Sequence, residues 1–246
     1  MKKVQEKDLY KLKNLFNDIR FYMGNSVLDG TMGEAYADNP ENPNFAILLV
    51  RRYCFISGNI NNDKLEKLIN NSLKDRILVP DDNIKKSLKE IYKDNIIIGQ
   101  RYSIKKDPEF NVNNLKNYTI NVPENYTIKI IDTSLAQRIK NEKYIMITDD
   151  YEKYGIGYCC LYNDKIIGVA SSNIFYKNGI EVTIKVNEEH RQKGIATILA
   201  SNLILKCIEK HKTVSWDAAN PNSLHLAEKL GFEFDSQYET FRFPLP

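Results

Sequence analysis

The chain has no apolar stretch near the roughly 20 residues that a membrane helix needs. Its longest apolar runs are Phe45–Val50 and the triplet Ile96-Ile97-Ile98. No apolar segment follows Lys2-Lys3 to make a secretion leader, so an unsecreted cytoplasmic protein with no membrane partner is expected. Cysteine is scarce: Cys54, Cys159, Cys160 and Cys207 form no C-x-x-C pair, and adjacent Cys159 and Cys160 point to opposite faces of a strand. That excludes a disulfide framework or a zinc ribbon and leaves reduced, buried thiols. The three histidines, His190, His211 and His225, are too scattered for a metal site, and no metal is expected. There is no Gly/Ser linker and no internal repeat. Charge is nearly balanced, with 35 Lys+Arg against 32 Asp+Glu, too small a surplus to give the dense basic face that nucleic acid requires. What is present is 246 residues, 42% of them hydrophobic, with 15 Tyr and 10 Phe. This is enough to build one large domain or two small ones, so a folded enzyme or binding protein remains.

The first half alternates helix and strand signals. Leu9, Leu12, Leu15, Phe16 and Ile19 share a helical face, and Leu65, Leu68, Ile69 and Leu73 repeat the spacing after cap residues at 61–63. Between them, 24–43 reads as loop and 45–57 as one buried strand. Ile84, Leu88, Ile91 and Tyr92 predict a helix, and 94–104 a strand. The polar, Asn-rich segment 111–123 marks a boundary, dividing the chain into 1–120 and 121–246. Beyond it come a strand (126–131), a short helix (134–141) and three apolar runs (156–162, 165–175, 180–186). The runs are separated by Asn163-Asp164 and Lys177-Asn178-Gly179, which is hairpin chemistry. Residues 194–210 predict a helix that is apolar on most sides, and 212–217 a strand, so the order strand, helix, strand makes a right-handed parallel crossover. Asn220-Pro221 is a helix start, Gly231 the matching stop, and 238–243 a last alternating strand.

Chemistry concentrates in Ile180-Glu181-Val182-Thr183-Ile184-Lys185-Val186-Asn187-Glu188-Glu189-His190-Arg191-Gln192-Lys193-Gly194-Ile195-Ala196-Thr197. A strand feeds a turn and then a helix whose start carries Gly194 and small Ala196. Unpaired backbone N–H groups and the helix dipole suit an anion such as pyrophosphate there, with Arg191 and Lys193 adding charge. An ordinary strand-to-helix turn with solvated cations is the competing reading. The glycine spacing matches neither a Walker loop nor a dinucleotide fingerprint.

Arg191-Gln192-Lys193-Gly194-Ile195-Ala196 resembles the acyl-CoA pyrophosphate loop of the GNAT superfamily of N-acetyltransferases. The run from Trp216 through Asn220, Ser223 and Leu230-Gly231-Phe232 resembles one GNAT subfamily, that of the zwittermicin A resistance acetyltransferase. So do Arg101-Tyr102-Ser103-Ile104-Lys105-Lys106 and Gly155-Ile156-Gly157-Tyr158. The resemblance implies an α/β (α+β) fold: a C-terminal mixed, splayed central sheet flanked by helices, with an N-terminal α/β region packed on it as a substrate cap or dimerisation element. It further implies acetyl-CoA as co-substrate. The backbone of Ile184, Lys185 and Val186 would pair with the pantetheine arm, Gln192, Lys193, Gly194, Ile195, Ala196 and Thr197 with Arg191 would hold the pyrophosphate, and Asn220, beside Ser223, would bond the pantetheine amide. Asn220 is equally suited to cap the helix that follows it.

The reaction implied is direct attack of a primary amine on the thioester. Alignment of the reactants and a backbone N–H near Val186 would do most of the work. Glu181 is the candidate base, sharing a strand face with Thr183 and Lys185, although a solvated polar position explains it as well. The tyrosine that many GNAT members use as acid is replaced by Ala227, which leaves Tyr238, Ser223 or water. Trp216 fits the core or an acceptor pocket. A small-molecule amine, such as an antibiotic or metabolite, is the expected acceptor, and a monomer or homodimer the expected state. A protein or peptide N-acetyltransferase and a silent acyl-CoA-binding module are the alternatives.

Overall fold

The three-dimensional structure, a computed structural model, describes residues 1–17, 22–145, 147 and 151–244. The chain forms two compact units: Met1–Arg101 with Gln237–Pro246, and Tyr102–Ser236. The boundary drawn from composition at 120/121 thus lies inside the second unit.

The first unit runs β1 (Lys2–Lys3), a 3-10 helix (Glu6–Phe16), α1 (Tyr22–Leu28), β2 (Glu34–Ala37), β3 (Phe45–Val50), β4 (Tyr53–Gly58), α2 (Asn62–Ser72), β5 (Ile77–Pro80), α3 (Asp82–Tyr92) and into β6 (Ile97–Ile104). Strands β1 to β4 pair antiparallel in sequence order, and α2 then crosses over to set β5 parallel to β4. Phe45, Ile47, Cys54 and Ile56 of the sheet meet Leu65, Ile69, Ile84 and Leu88 of the helices, each removed from water. Full burial of such side chains contributes about 1.5–3 kcal/mol apiece.

Three expectations change here. Segment 24–43 is not all loop: it holds most of α1, whose Met23, Gly24, Ser26 and Val27 are buried, and β2, whose short alternation pairs with β3. The single strand expected over 45–57 is a hairpin, because Arg51 takes a left-handed conformation (φ 53°) and reverses the chain. Strand β5 was not anticipated, since four residues are too few to show a period. Leu9, Leu12 and Phe16 are buried as expected but on a 3-10 helix, and Ile19 lies outside the described residues.

The second unit continues with α4 (Val112–Ile120), β7 (Tyr126–Ile130), α5 (Thr133–Asn141), α6 (Tyr151–Tyr154), β8 (Gly157–Tyr162), β9 (Lys165–Tyr176), β10 (Gly179–Val186), α7 (Ile195–Glu209), β11 (Thr213–Ser215), β12 (Asp217–Ala218), α8 (Pro221–Leu230) and the start of β13 (Phe234–Arg242). The polar segment taken as a boundary is thus largely a helix, α4, started by the Asn111 side chain on Asn114 N–H and packed on α7. Strands β7 to β10 form an antiparallel meander, turning at Asn163-Asp164 with φ positive at both residues. Helix α7 returns the chain so that β11 lies parallel to β10, as the crossover pattern predicts. Gly168 on β9 lets α7 lie close: a Cβ there would come within 2.9 Å of Leu199 Cδ1. Among the described residues no helix is long and apolar enough to cross a membrane.

Candidate active site

The sheet of the second unit opens where β10 and β11 part. They pair at Gly179↔Thr213, Ile180↔Val214 and Glu181↔Ser215 and then separate, β12 pairing instead with Tyr102 and Ser103 of β6. From Val182 to Val186 the β11-facing edge of β10 carries no strand among the described residues. Asn187 N–H donates to Ile167 O of β9 (2.8 Å), so ladder alternation turns the peptide groups of Ile184 and Val186 toward the open side and that of Lys185 toward β9. Glu181 sits at the apex of the fork, 6% exposed, and Ser215 Oγ bonds its carboxylate Oε2.

Beyond the fork, 187–194 carries the chain into α7. Gln192 (φ 62°) and Gly194 (φ 76°) are both left-handed. The side chains of Asn61, Asp81, Asn111, Asp132 and Asn220 cap α2, α3, α4, α5 and α8, whereas α7 starts at Gly194 with no side-chain cap. Its first-turn amides are thus left for a ligand. A Cβ built on Gly194 meets nothing within 4 Å, so the space beside that residue is open. A cluster that sequence reasoning missed braces this loop from below. The Tyr126 hydroxyl contacts His190 Nδ1 (2.8 Å) and accepts from Lys193 Nζ (3.0 Å), and the Tyr162 ring lies against His190. Arg191 is exposed, paired with Glu188 (3.1 Å).

The sheet face opposite α7 carries Glu181, Thr183 and Lys185 by alternation, the side chain of Val186 lying with Ile195 and Leu199 of α7 near Gly168. Lys185 Nζ donates to Tyr144 O (2.8 Å), and Tyr144 donates to Asn187 Oδ1 (2.7 Å). Burial pushes the Tyr144 phenol up to about 12. Ser171 stands opposite Thr183 in register, and beside it the Tyr151 hydroxyl is buried over Gly157. Cβ atoms on Gly155 and Gly157 would fall 2.4 Å from the Tyr151 ring and hydroxyl, which explains two of the glycines quoted for the family likeness. Burial holds the Tyr151 phenol protonated well above its ordinary range.

The remaining candidates are placed as follows. Asn220 Oδ1 accepts from Ser223 N–H (3.0 Å) and caps α8, while Ser223 Oγ accepts from Trp216 Nε1 (3.1 Å) and keeps its own proton to donate. Trp216 is buried against Phe232. Tyr238 belongs to the first unit, so it is not among the groups the second unit gathers at the fork. Ala227 is fully buried and offers no acid. Burial raises the thiols of Cys159 to about 11 and Cys160 to about 12, too high for nucleophiles at neutral pH.

A splayed parallel pair, an uncapped helix start and a buried carboxylate meet in the second unit, and the GNAT acetyltransferase family model matches residues 13–241. The chain belongs to the GNAT acetyltransferase family. It is an acyltransferase. An uncharacterized N-acetyltransferase of Bacillus subtilis, YdfB, is 26% identical over 234 residues, covering 88% of both chains. The crystal structure of a GCN5-related N-acetyltransferase-like protein from Streptococcus suis shares 30% identity at a TM-score of 0.88, covering 97% of this chain and 99% of that one. A GCN5-related N-acetyltransferase from Kribbella flavida, 12% identical with a TM-score of 0.56 over 82% of this GNAT chain and 88% of its own, shares the fold.

Proposed function

We propose that this GNAT protein transfers the acetyl group of acetyl-CoA to a primary amine of a small molecule, by direct attack in a ternary complex. The observation that carries the reading is the fork itself, with Glu181 buried at its apex and uncapped α7 at its mouth. The residues fit the co-substrate. The uncapped start of α7, with open space beside Gly194, suits a pyrophosphate, and the outward peptide groups of Ile184 and the N–H of Val186 offer strand-like pairing to a pantetheine arm. Acetyl-CoA supplies an activated thioester, whose thiol, with a pKa of about 8.5, leaves without strong acid assistance.

Glu181 then takes the proton that the amine must lose, and its bond from Ser215 fixes the carboxylate in place. The Val186 N–H is available to developing negative charge on the acyl oxygen. Ser223 is the donor nearest in kind to the missing acid within this unit. An open cleft of about 440 Å³ along the Lys185 face is lined by Arg138, Lys143, Lys165 and Lys185 against only Glu142 and Glu189. That charge balance disfavours a lysine-rich peptide.

The test is calorimetric titration with acetyl-CoA, followed by a free-thiol assay against aminopolyols, polyamines and lysine peptides. Micromolar binding with thiol release for one small-amine class is expected. Release only with peptides would replace the acceptor class, and no acetyl-CoA binding would remove the proposal.

A further inference from the structure

The loop at 187–194 has little backbone bonding of its own. Its internal ties run from His190 N–H to Asn187 O (3.0 Å) and from Arg191 N–H to Glu188 O (3.1 Å), closing the single turn Glu188–His190. From Gln192 to Thr197 no backbone N–H donates to a partner among the described residues; the first amide of α7 to do so is that of Ile198, on Gly194 O (3.0 Å). Gln192 carries a Cβ and is nonetheless left-handed at φ 62°, a conformation that L side chains avoid. Such a conformation persists only where its surroundings over-determine it. The backbone does not hold it, so side chains must.

Arg191 supplies a long contact, its Nε donating to Val186 O at 3.4 Å. The shorter ones converge on a single residue of another strand, Tyr126, the first of β7 and paired in the sheet with Tyr162. Its hydroxyl meets His190 Nδ1 on one side of the Arg191-Gln192 pair and Lys193 Nζ on the other, at 2.8 and 3.0 Å. The ring is fixed in turn: it lies 4.8 Å from the Tyr162 ring, edge-on to His190 at 5.6 Å, with the Lys193 ammonium 5.6 Å from its centroid. An ammonium only donates, so the Tyr126 oxygen accepts from Lys193 and its own proton goes to His190 Nδ1. His190 then carries its ring proton on Nε2.

We infer, on the acyl-CoA reading proposed above, that Tyr126 is a positioning residue for the co-substrate's pyrophosphate. It acts through His190 and Lys193, pinning the loop on both sides of left-handed Gln192 so that the unbonded amides from 192 onward keep one arrangement. Lys193 is thereby a strut of the loop rather than a direct ligand of the anion, and exposed Arg191 is left to supply charge. A loop set in advance loses less freedom when it binds. The role is therefore one of affinity for the part of acetyl-CoA that carries the pyrophosphate, separate from the chemistry at the thioester.

The test compares the native protein with Tyr126→Phe, which keeps the ring and removes only the hydroxyl, with Lys193→Met, and with the double variant. Affinity for acetyl-CoA is read by calorimetry, and thiol release is followed with acetyl-CoA and with S-acetylpantetheine, a thioester that lacks the pyrophosphate, using the amine that the native protein acetylates. Each single variant should lower acetyl-CoA affinity and raise its KM about tenfold, with kcat and the S-acetylpantetheine rate within about twofold of native. The double variant should lose no more than either single one, because both break the same strut. Native acetyl-CoA affinity in Tyr126→Phe would overturn the inference, and so would an equal loss with both thioesters, the mark of a general defect in the unit. Losses that multiply in the double variant would overturn it as well, since Lys193 would then hold the anion without Tyr126. No acetyl-CoA binding by the native chain would remove the proposed function and this role together, whereas native binding with an unaffected Tyr126→Phe removes this role alone.

Discussion

In each unit a strand hands the chain to the crossover helix, and the two passages are built for opposite ends. At the end of β4, Gly58 is wedged at φ 108° with Asn44 O only 2.1 Å from where a Cβ would be, and Asn61 seals the helix that follows. After β10, Gly194 is also left-handed, but its missing Cβ faces empty space and no side chain seals α7. A glycine required by the fold's own packing and one that keeps space for something else look alike in sequence. The contents of the space distinguish them, and the proposed function gives the empty space at Gly194 to a ligand.

The sharpest break of this comparison is Gly58→Ala. The left-handed strain and the collision with Asn44 add to about 3 kcal/mol of lost stability, read as a lower urea midpoint at unchanged slope. Acetyl-CoA affinity of the folded protein should not move. Glu181→Gln should do the converse, lowering turnover about a hundredfold while leaving acetyl-CoA affinity within twofold. Turnover equal to the native enzyme from pH 6 to 9 would take Glu181 out of the mechanism. Gly194→Ala falls between the two. With nothing for the methyl to strike it costs only backbone strain, about 1 kcal/mol, yet acetyl-CoA affinity should drop about tenfold, equivalent to 1.4 kcal/mol. Unchanged affinity there would mean the open space is not a ligand's.

Most of the second unit was legible because its signals are local and agree with one another: turn residues at 163–164, the apolar crossover helix, and the Asn220-Pro221 start with its Gly231 stop. The first unit was less so. Its β5 is four residues long, its hairpin turns on Arg51 rather than on a glycine or asparagine, and its α1 is hidden in a Gly- and Asn-containing stretch that tertiary burial makes helical. At the fork, the sequence pointed to Glu181 and the loop, since strand parity and glycine placement are one-dimensional. Ser215 as the partner of Glu181 and Tyr126 under Lys193 are contacts between distant segments, for which a single sequence carries no signal.

The finest test exchanges the one residue type that differs between the two helix caps. Asp81 and Asn220 both accept from the amide two or three residues into their helices, and as caps Asn and Asp are equivalent. Asn220→Asp should therefore leave stability within about 0.5 kcal/mol. What it removes is the amide N–H₂ donor, and it adds a negative charge that matters to an anionic co-substrate only if the co-substrate lies beside Asn220. If Asn220 serves only α8, acetyl-CoA affinity will not change. If it also bonds the pantetheine, affinity will fall several-fold at native stability, and the aspartate cap that serves α3 will have proved unusable at α8.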